Sequence, residues 1–565
     1  MSWITGYFGY LQEDKKELLA KLCSGYLHKV STEKLVLYTG GTISTCHISK
    51  NQNIIICGFI IGNSDSSKIQ LTDEKLFETF NFDNPASLQG HFISVNWDER
   101  GLRFCNDAFG LRTVYFYQEN KATFFSTKLS LLTSIIKSSE LDLNEFGSRW
   151  FTYNQWSHNS FIKNIKRLPP NSKAFLNEGG LEIKAELWKQ QITETQPEKF
   201  LSNLNEFLNI RLNGNSKLTL GLSGGLDSRF MLSVLLQNKI DFLVHTVGSS
   251  DDPDVKTAKK IADVISIKIN HIEADDSSLT ETILNEYKEY AASTELIEPI
   301  STYTKLRCFE NNYFSDKVLI DGTMAEFARK QFLKKFRVWG FDLIKQKKWD
   351  KLIDLIKVNK PNIFKEEFSG KMLTGVSEQL KHLFDNVVIG DYKKKYLPDI
   401  LIANYRLSNY FMPEQTRLDN FIQSFMPFAQ PEMVSASLSL PDKFRTNSRL
   451  MYRTILDNNK SLGKIPLIKG NSPYPFGSST IKIYLLNKIR KEKDDNKIRL
   501  IKFYDQLEAF IRDQFSFQEI KNYELYDHNF INNLIKDYYS GNKALVYDLN
   551  WLVTFELFRQ GLNLR

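Results

Sequence analysis

The chain has 565 residues, of which 42% are hydrophobic and 25% are charged, a composition typical of an ordinary soluble globular protein. This length exceeds what one hydrophobic core usually serves, so two or more domains are expected. The net charge of +8 is mild for the size, and the lysines are spread along the chain. A nucleic-acid partner is therefore not required, and none is predicted.

The cysteines and the N-terminal residues indicate where the protein resides. The five cysteines are widely spaced and include no CxxC pair, which predicts reduced thiols rather than a zinc site or a disulfide framework. The first residues lack the basic and apolar regions of a signal peptide, and no apolar run reaches about 18 residues. We therefore expect a cytoplasmic protein that has no membrane partner.

In chain order, the first 190 residues or so contain short apolar and aromatic runs between turn signals. The alternation within these runs predicts stacked antiparallel sheets with a few helices. The predicted strands cover residues 35–38, 54–57, 91–95, 113–117 and 123–126.

Beyond about residue 200, strands alternate with helices, which is typical of a parallel, doubly wound sheet. Strands are predicted at 217–222, 242–247 and 317–320, and helices at 229–236 and 254–264. Residues 340–400 and those from 480 onward are predicted to form long, charged amphipathic helices. The predicted domains are residues 1–190 and 191–565, and the absence of a low-complexity linker favours a packed junction between them.

The most informative segment is the run Ser-Gly-Gly-Leu-Asp-Ser at residues 223–228, between a predicted strand and a predicted helix. Adjacent glycines let the backbone approach a phosphate closely, and the first amides of a helix have no intrahelical partner. An acid at Asp227 fits such a site if a divalent cation lies between it and the phosphate. The alternative is a glycine turn before an ordinary helix, with Asp227 favoured there by the helix dipole.

This segment resembles the SGGxDS loop of ATP pyrophosphatases, and in particular that of the asparagine synthetase family. Weaker similarities to the same family extend over most of the chain. They cover residues 90–92, 106–112, 161–170, 187–188, 245–248, 254–262, 426–428, 440–441 and 549–552.

The resemblance implies an N-terminal glutaminase-like αββα sandwich of the N-terminal-nucleophile (Ntn) type. It further implies a C-terminal doubly wound α/β ATP-pyrophosphatase (PP-loop) domain, rich in helices, that uses ATP and Mg²⁺. The family's metal ligands would be Asp227 and Glu326, and its active-site lysine would be Lys469, with Lys464 as the alternative. Nucleotide contacts would come from Leu222, Ser223, Gly224, Gly225, Leu226, Asp227, Ser228, Val247, Gly248, Asp321, Gly322 and Thr323.

The first domain departs from the family pattern at its expected catalytic positions. Ser2 stands where the family has its cysteine nucleophile, Phe59 replaces a glutamate of the glutamine-binding segment, and Gln89 replaces an acid. These changes predict a retained scaffold without glutaminase activity rather than a serine hydrolase. Thr323 also differs from the acid of asparagine synthetases and the tyrosine of β-lactam synthetases, so the substrate is expected to differ.

The function that the sequence predicts is an ATP-dependent, AMP-forming amide ligase. A carboxylate of a peptide or small molecule would be activated as an acyl adenylate and captured by an amine of the same substrate, as in β-lactam synthetases and lasso-peptide cyclases. A leader-peptide-binding protein or a protease is a possible partner, and residues 328–395 offer lysines for an acidic peptide, although a solvated helical face is the better account of them. The alternatives are an enzyme that uses free or partner-supplied ammonia on a small acid or sugar uronate, a non-catalytic binding protein, and a tRNA-thiolating relative, which the missing CxxC pair disfavours.

Overall fold

The structure is a computed structural model. It describes residues 2–565 except 65–66, 86–87, 137, 153, 191, 274–280, 331–332, 334, 387–394, 471, 479–481, 484 and 487–494. Asn471, in the loop that carries Lys469, and parts of the predicted helical stretches 328–395 and 480–565 lie outside the described residues.

The N-terminal region contains a six-stranded and a seven-stranded sheet, with antiparallel pairing throughout both. Helices α1 to α4 of this region are Glu13–Leu22, Asp73–Thr79, Leu129–Ile136 and Leu143–Thr152. In chain order the strands β1 to β13 are Trp3–Gly9, Tyr26–Ser31, Leu35–Gly40, Cys46–Ile48, Ile54–Ser64, Ser67–Gln70, Gln89–Asp98, Gly101–Asn106, Tyr115–Glu119, Ala122–Ser126, Ile165–Arg167, Ser172–Asn177 and Gly180–Ala185.

The two sheets pack face to face, as the alternation in the sequence predicts. The strand order is β11-β9-β10-β1-β3-β2 in the first sheet and β13-β12-β8-β7-β5-β4 in the second, where β6 pairs with β5. Ile4 and Leu37 of the first sheet share a buried cluster with Ile55, Val95 and Phe104 of the second. One predicted strand is shorter than expected, because residues 113 and 114 bond to the backbone of Leu168 instead of joining β9.

The second half contains a five-stranded sheet that is parallel throughout, also as predicted. Its strands β14 to β18 are Lys217–Gly221, Leu243–Val247, Asn270–Ile272, Lys317–Ile320 and Gln423–Phe425, in the order β16-β15-β14-β17-β18. The chain adds β15 and β16 on one side of β14, and then adds β17 and β18 on the other side. Strand order therefore reverses at β14, and open α/β sheets bind ligands beyond the carboxyl ends of strands at such a point.

Helices surround this sheet and form the rest of the chain. In order, α5 to α22 are Pro197–Leu208, Leu226–Gln237, Pro253–Val264, Glu281–Thr294, Tyr303–Leu306, Phe341–Lys345, Trp349–Ile356, Glu366–Asn386, Leu397–Leu401, Met412–Leu418, Pro431–Ser439, Asp442–Arg445, Arg449–Asn458, Asp495–Gln506, Glu508–Gln514, Gln518–Lys521, His528–Tyr539 and Val546–Gly561. A π-helix at Ile402–Phe411 joins α13 to α14, and a short hairpin is formed by β19 (Leu467–Lys469) and β20 (Ser472–Tyr474).

The prediction of long helices between residues 340 and 400 is correct only for α12, because the segment before it breaks into two short helices. The described helices include none with the length and apolarity needed to cross a bilayer.

The two regions share a well-packed junction. Trp3 and Tyr7 of β1 belong to the same buried cluster as Trp551 and Phe555 of the last helix. The Phe59 ring stacks on Phe425 of β18, with centroids 5.4 Å apart and planes 3° from parallel. This agrees with the expectation of a packed junction rather than a flexible tether.

Candidate functional site

The loop that links β14 to α6 lies where strand order reverses. Gly225 precedes α6 in an extended conformation, so the helix begins at Leu226 with Asp227 in its first turn. Position 224 requires glycine, because a Cβ there would collide with Ile468 Cγ1 and come within 3.1 Å of Asp254 Oδ1. The residues of the predicted phosphate loop therefore meet the hairpin of β19 and β20 and the start of α7.

The amides of this loop are held by side chains. Ser228 Oγ accepts from Ser223 N at 3.2 Å, and Ser223 Oγ accepts from Gly225 N at the same distance. Asp254 Oδ1 accepts from Gly224 N at 2.8 Å. The Asp254 carboxylate thus accepts the hydrogen bond of the central loop amide, as a bound anion would.

Arg229 fixes the loop against the segment that leads to Lys469. Its guanidinium is fully buried and donates to the carbonyl oxygens of Ile465 and Pro466 at 2.6 and 2.9 Å, and to those of Leu462 and Gly224 at 3.0 and 3.3 Å. Burial lowers the pKa of Arg229 to about 10. Because four carbonyls converge on one side chain, the loop and the lysine segment are held as a unit.

Asp227 and Glu326 lie close together, on either side of Arg329. One guanidinium nitrogen, Nη2, donates both to Asp227 Oδ2 and, at 3.1 Å, to Glu326 Oε1. Burial raises the pKa of Asp227 to about 7, and Glu326 adds to that rise while Arg329 opposes it. Since both carboxylates contact the same nitrogen, a single cation is able to reach both.

These two carboxylates fit a magnesium ion. Asp227 Oδ1 is buried and has no hydrogen-bond partner, so one hard oxygen is unused. The described residues contain no cluster of three or more His, Cys, Asp or Glu side chains arranged to hold a metal. Mg²⁺ needs no such cage, because it is commonly bound by one or two carboxylates together with substrate phosphates.

The second predicted motif follows β17 at the same edge of the sheet. Asp321 Oδ1 accepts from the amide and the hydroxyl of Thr323, at 2.9 and 2.6 Å, so it stabilises its own turn. Burial raises the pKa of Asp321. Gly322 lies beside Met231 and Asp227, which brings the two motifs together.

The residues predicted near adenine lie at the ends of β14 and β15. Leu222 N donates to His245 O at 2.8 Å, and Gly248 N donates to Ile272 O at 3.1 Å. Gly248 has a φ of +136°, a conformation that favours glycine. Leu222 and Gly248 therefore lie at the carboxyl edge of the sheet, each bonded to the neighbouring strand.

A cavity of about 280 Å³ opens beside the loop. Its lining includes Asp227, Arg329, Tyr452, Ser448 and Lys469. Both candidate lysines are exposed, but Lys464 is not among the residues that line this cavity. Of the two candidate lysines, Lys469 is the one the structure brings to the loop.

The sequence reasoning missed three residues here: Asp254, Arg229 and Arg329. The i, i+3 spacing of Glu326 and Arg329 is a signal that was available, because residues so spaced meet on one helical face. Arg229 directly follows the loop, but no sequence pattern shows that it turns toward residues 462–466. Asp254 follows the proline that opens α7, and only the parallel pairing of β14 and β15 brings it to Gly224.

A second polar cluster lies beside Asp321. Glu414 accepts from Arg417 at 3.0 Å, Arg417 also donates to the Tyr290 hydroxyl at 2.7 Å, and the Tyr410 hydroxyl donates to Glu298 at 3.3 Å. Burial raises the pKa of Glu414 to about 7 despite the arginine. No sequence pattern predicts this cluster, which the π-helix and α14 bring against α8.

The predicted nucleophile position of the first region is closed. Ser2 is fully buried, and its hydroxyl donates to Thr45 O at 2.8 Å while accepting from Thr45 Oγ1 at 3.0 Å. Phe59 lies between His91 and Phe425 in aromatic stacks. Gln89 accepts from the Glu432 amide at 3.5 Å, so it lies at the junction between the two regions.

No protein-family model and no curated protein sequence matches the chain. Two of the solved structures that are similar to the chain show the level of similarity. The first, described as the allosteric regulatory enzyme of purine biosynthesis, is 11% identical over 50% of this chain and 67% of its own, with a TM-score of 0.21. The second, glutamine phosphoribosylpyrophosphate amidotransferase from B. subtilis complexed with ADP and GMP, is 8% identical over 69% of this chain and 94% of its own, with a TM-score of 0.22. At such TM-scores the similarity carries no argument about this chain.

Proposed function

We propose that the chain is an ATP-dependent, AMP-forming amide ligase whose site is the carboxyl edge of the parallel sheet. The observation that carries the proposal is a pair of matched charges. The Asp254 carboxylate accepts a hydrogen bond from a loop amide, and the Arg329 guanidinium lies between Asp227 and Glu326. These are the charges that a magnesium pyrophosphate would bring to the same positions.

In this proposal the backbone and hydroxyls of residues 223–228 hold the β- and γ-phosphates of ATP. Asp254 leaves the Gly224 amide as the phosphates bind, and Arg329 turns from the two carboxylates toward the cavity that it already lines. Asp227 and Glu326 would hold Mg²⁺, which would supply positive charge to the diphosphate leaving group. Lys469 supplies a positive charge at the α-phosphate while the substrate carboxylate attacks it.

The remaining residues orient the substrates. Backbone groups at Leu222, Val247 and Gly248 receive adenine, and residues 321–323 also contact the nucleotide. An amine of the same peptide or small-molecule substrate then displaces AMP and forms the amide. Residues 1–190 act as a scaffold without glutaminase activity, since Ser2 is buried and Phe59 is apolar.

The first test is magnesium-dependent ATP binding, measured by calorimetry on the full chain. We expect binding that is lost in Asp227→Asn and Glu326→Gln and retained in Asp251→Asn, a matched control whose side chain is exposed and paired with Lys256. ATP–pyrophosphate exchange across a panel of carboxylates then tests activation. Absence of ATP binding by the folded wild-type protein would reject the ligase.

A second candidate is a non-catalytic binding protein. It is favoured because Arg329 already neutralises Asp227 and Glu326 where a metal ion would bind. If Arg329 keeps its contacts with Asp227 and Glu326 when nucleotide is present, ATP binds without a magnesium requirement or does not bind at all. The same calorimetry, run with magnesium and with a chelator, separates the two candidates.

A further inference from the structure

Two cysteines lie directly opposite each other in the second sheet. Cys46 of β4 pairs with Cys57 of β5, and their sulfur atoms are 3.9 Å apart. Ser49 N donates to Ile54 O farther along the same ladder, so Ser49 and Ile54 form a hydrogen-bonded pair. Hydrogen-bonded and non-hydrogen-bonded pairs alternate along an antiparallel ladder. Cys46 and Cys57, three pairs away, therefore occupy a non-hydrogen-bonded position. Cα atoms at such a position are about 4.5 Å apart, within the range that a disulfide spans.

The two thiols differ in exposure and in acidity. Cys46 is partly exposed, whereas Cys57 is fully buried. The Cys57 thiol donates to the Cys46 sulfur, which lowers the pKa of Cys46, and the same contact with burial raises the pKa of Cys57. Burial instead raises the pKa of the other three cysteines, Cys23, Cys105 and Cys308, to about 12.

We infer that Cys46 and Cys57 form an oxidation site at which a small peroxide converts the dithiol to a disulfide. The Cys46 thiolate attacks one peroxide oxygen, the O–O bond breaks, and Cys46 becomes a sulfenic acid as the other oxygen leaves as water. The Cys57 sulfur then attacks the Cys46 sulfur, the S–O bond breaks, and a second water leaves with the Cys57 proton. Two thiols are oxidised and one hydrogen peroxide is reduced to two waters.

This oxidation would crosslink β4 covalently to β5, the strand that contains Phe59. Thr45, next to Cys46, holds Ser2, and Phe59, two residues after Cys57, stacks on Phe425 of the parallel sheet. The modification would therefore act on the segment that connects the two regions. It is independent of the proposed ligase activity.

The experiment treats the full-length, reduced protein with hydrogen peroxide, followed by alkylation in denaturant and mass spectrometry of a non-reducing digest. We expect a Cys46–Cys57 crosslinked peptide that dithiothreitol reverses, formed on the order of tenfold faster than loss of free thiol at Cys23, Cys105 or Cys308. In Cys57→Ser we expect a sulfenic acid on Cys46, trapped by dimedone, while Cys308→Ser serves as a matched control that still forms the crosslink.

Two results would overturn the inference. One is that Cys46 and Cys57 both stay alkylatable under conditions that oxidise the other cysteines. The other is that the crosslink forms only in protein that has already lost its folded thermal transition. Both are read from the wild-type chain, so they do not depend on how a cysteine variant folds.

Discussion

Polar groups are used differently in the stacked antiparallel sheets and at the carboxyl edge of the parallel sheet. In the stacked sheets, Asp107 accepts from four backbone amides, and Ser2 is satisfied by Thr45. At the parallel edge, Asp227 and Glu326 are paired with Arg329, a side chain that lines an open cavity.

The difference shows which charges a ligand is able to replace. A carboxylate held by its own backbone cannot exchange partners without local unfolding. A carboxylate held by an arginine at a cavity is free to exchange that arginine for another cation when the side chain rotates. Substitutions in the two regions should therefore separate stability from ligand binding.

The largest expected effect comes from the junction that holds the stacked sheets against the second region. Arg112 donates to Asp419 at 2.6 Å, and both side chains are buried. Asp419→Ala leaves the guanidinium buried without its partner and should cost about 3–5 kcal/mol of unfolding free energy. Thermal and denaturant unfolding measure this loss, and ATP affinity per folded molecule should not change.

Asp98→Ala is the matched control for that variant, because Asp98 is paired with Arg100 at the surface. It should change the unfolding free energy by about 0–1 kcal/mol. Equal losses in the two variants would mean that the junction contributes no more than a surface pair.

Glu414 offers a pH test of the polar cluster beside Asp321. Its pKa is raised from 4.5 to about 7, so the stability that its protonated form contributes is complete below pH 4.5 and is lost as pH rises through 7. Glu414→Gln should remove this loss. The unfolding free energy of the variant minus that of wild type should therefore increase by roughly 1–3 kcal/mol from pH 5 to pH 8. Melting curves across this range give the difference, and Glu13→Gln, at an exposed site, should follow wild type.

A substitution of Arg329 tests whether a metal ion replaces this arginine at the carboxyl edge of the parallel sheet. Arg329→Met leaves Asp227 and Glu326 facing each other, which should lower the unfolding free energy of the metal-free protein by roughly 1 kcal/mol. Mg²⁺ alone should then raise the Tm more in the variant than in wild type, because it no longer competes with the guanidinium. Arg453→Met, which breaks an exposed pair with Asp457, should show no such gain, and equal responses to Mg²⁺ would place the ion elsewhere.

The sequence predicted strands and their sheet type well, because periodicity and β-branched or aromatic content are local properties. It predicted β17 at residues 317–320 without error, and it predicted a turn from strand to helix after β14, although α6 begins at Leu226 rather than at residue 229. It predicted helices less well between residues 340 and 400, where residues 346–348 interrupt a charged amphipathic pattern.

The site was predictable only where residues adjacent in sequence define it. The loop and its aspartate follow from composition, but Asp254 reaches Gly224 across two neighbouring strands. The cross-strand cysteines and the Glu414 cluster depend on register and on packing between distant helices, for which no local pattern exists. The proposed domain limits of 1–190 and 191–565 and the roles of the site residues stay predictions.

The smallest effect is expected at Ser2, in the closed part of the stacked sheets. Its hydroxyl donates to Thr45 O and accepts from Thr45 Oγ1, so Ser2→Ala should cost about 1 kcal/mol of unfolding free energy. Ser94→Ala is the matched control, since Ser94 is equally buried and its hydroxyl contacts Cys105 at 2.9 Å. Glutamate release from glutamine should be absent from wild type and from both variants. Release by wild type that disappears only in Ser2→Ala would instead mean that Ser2 is a nucleophile and that the sheets open to admit substrate.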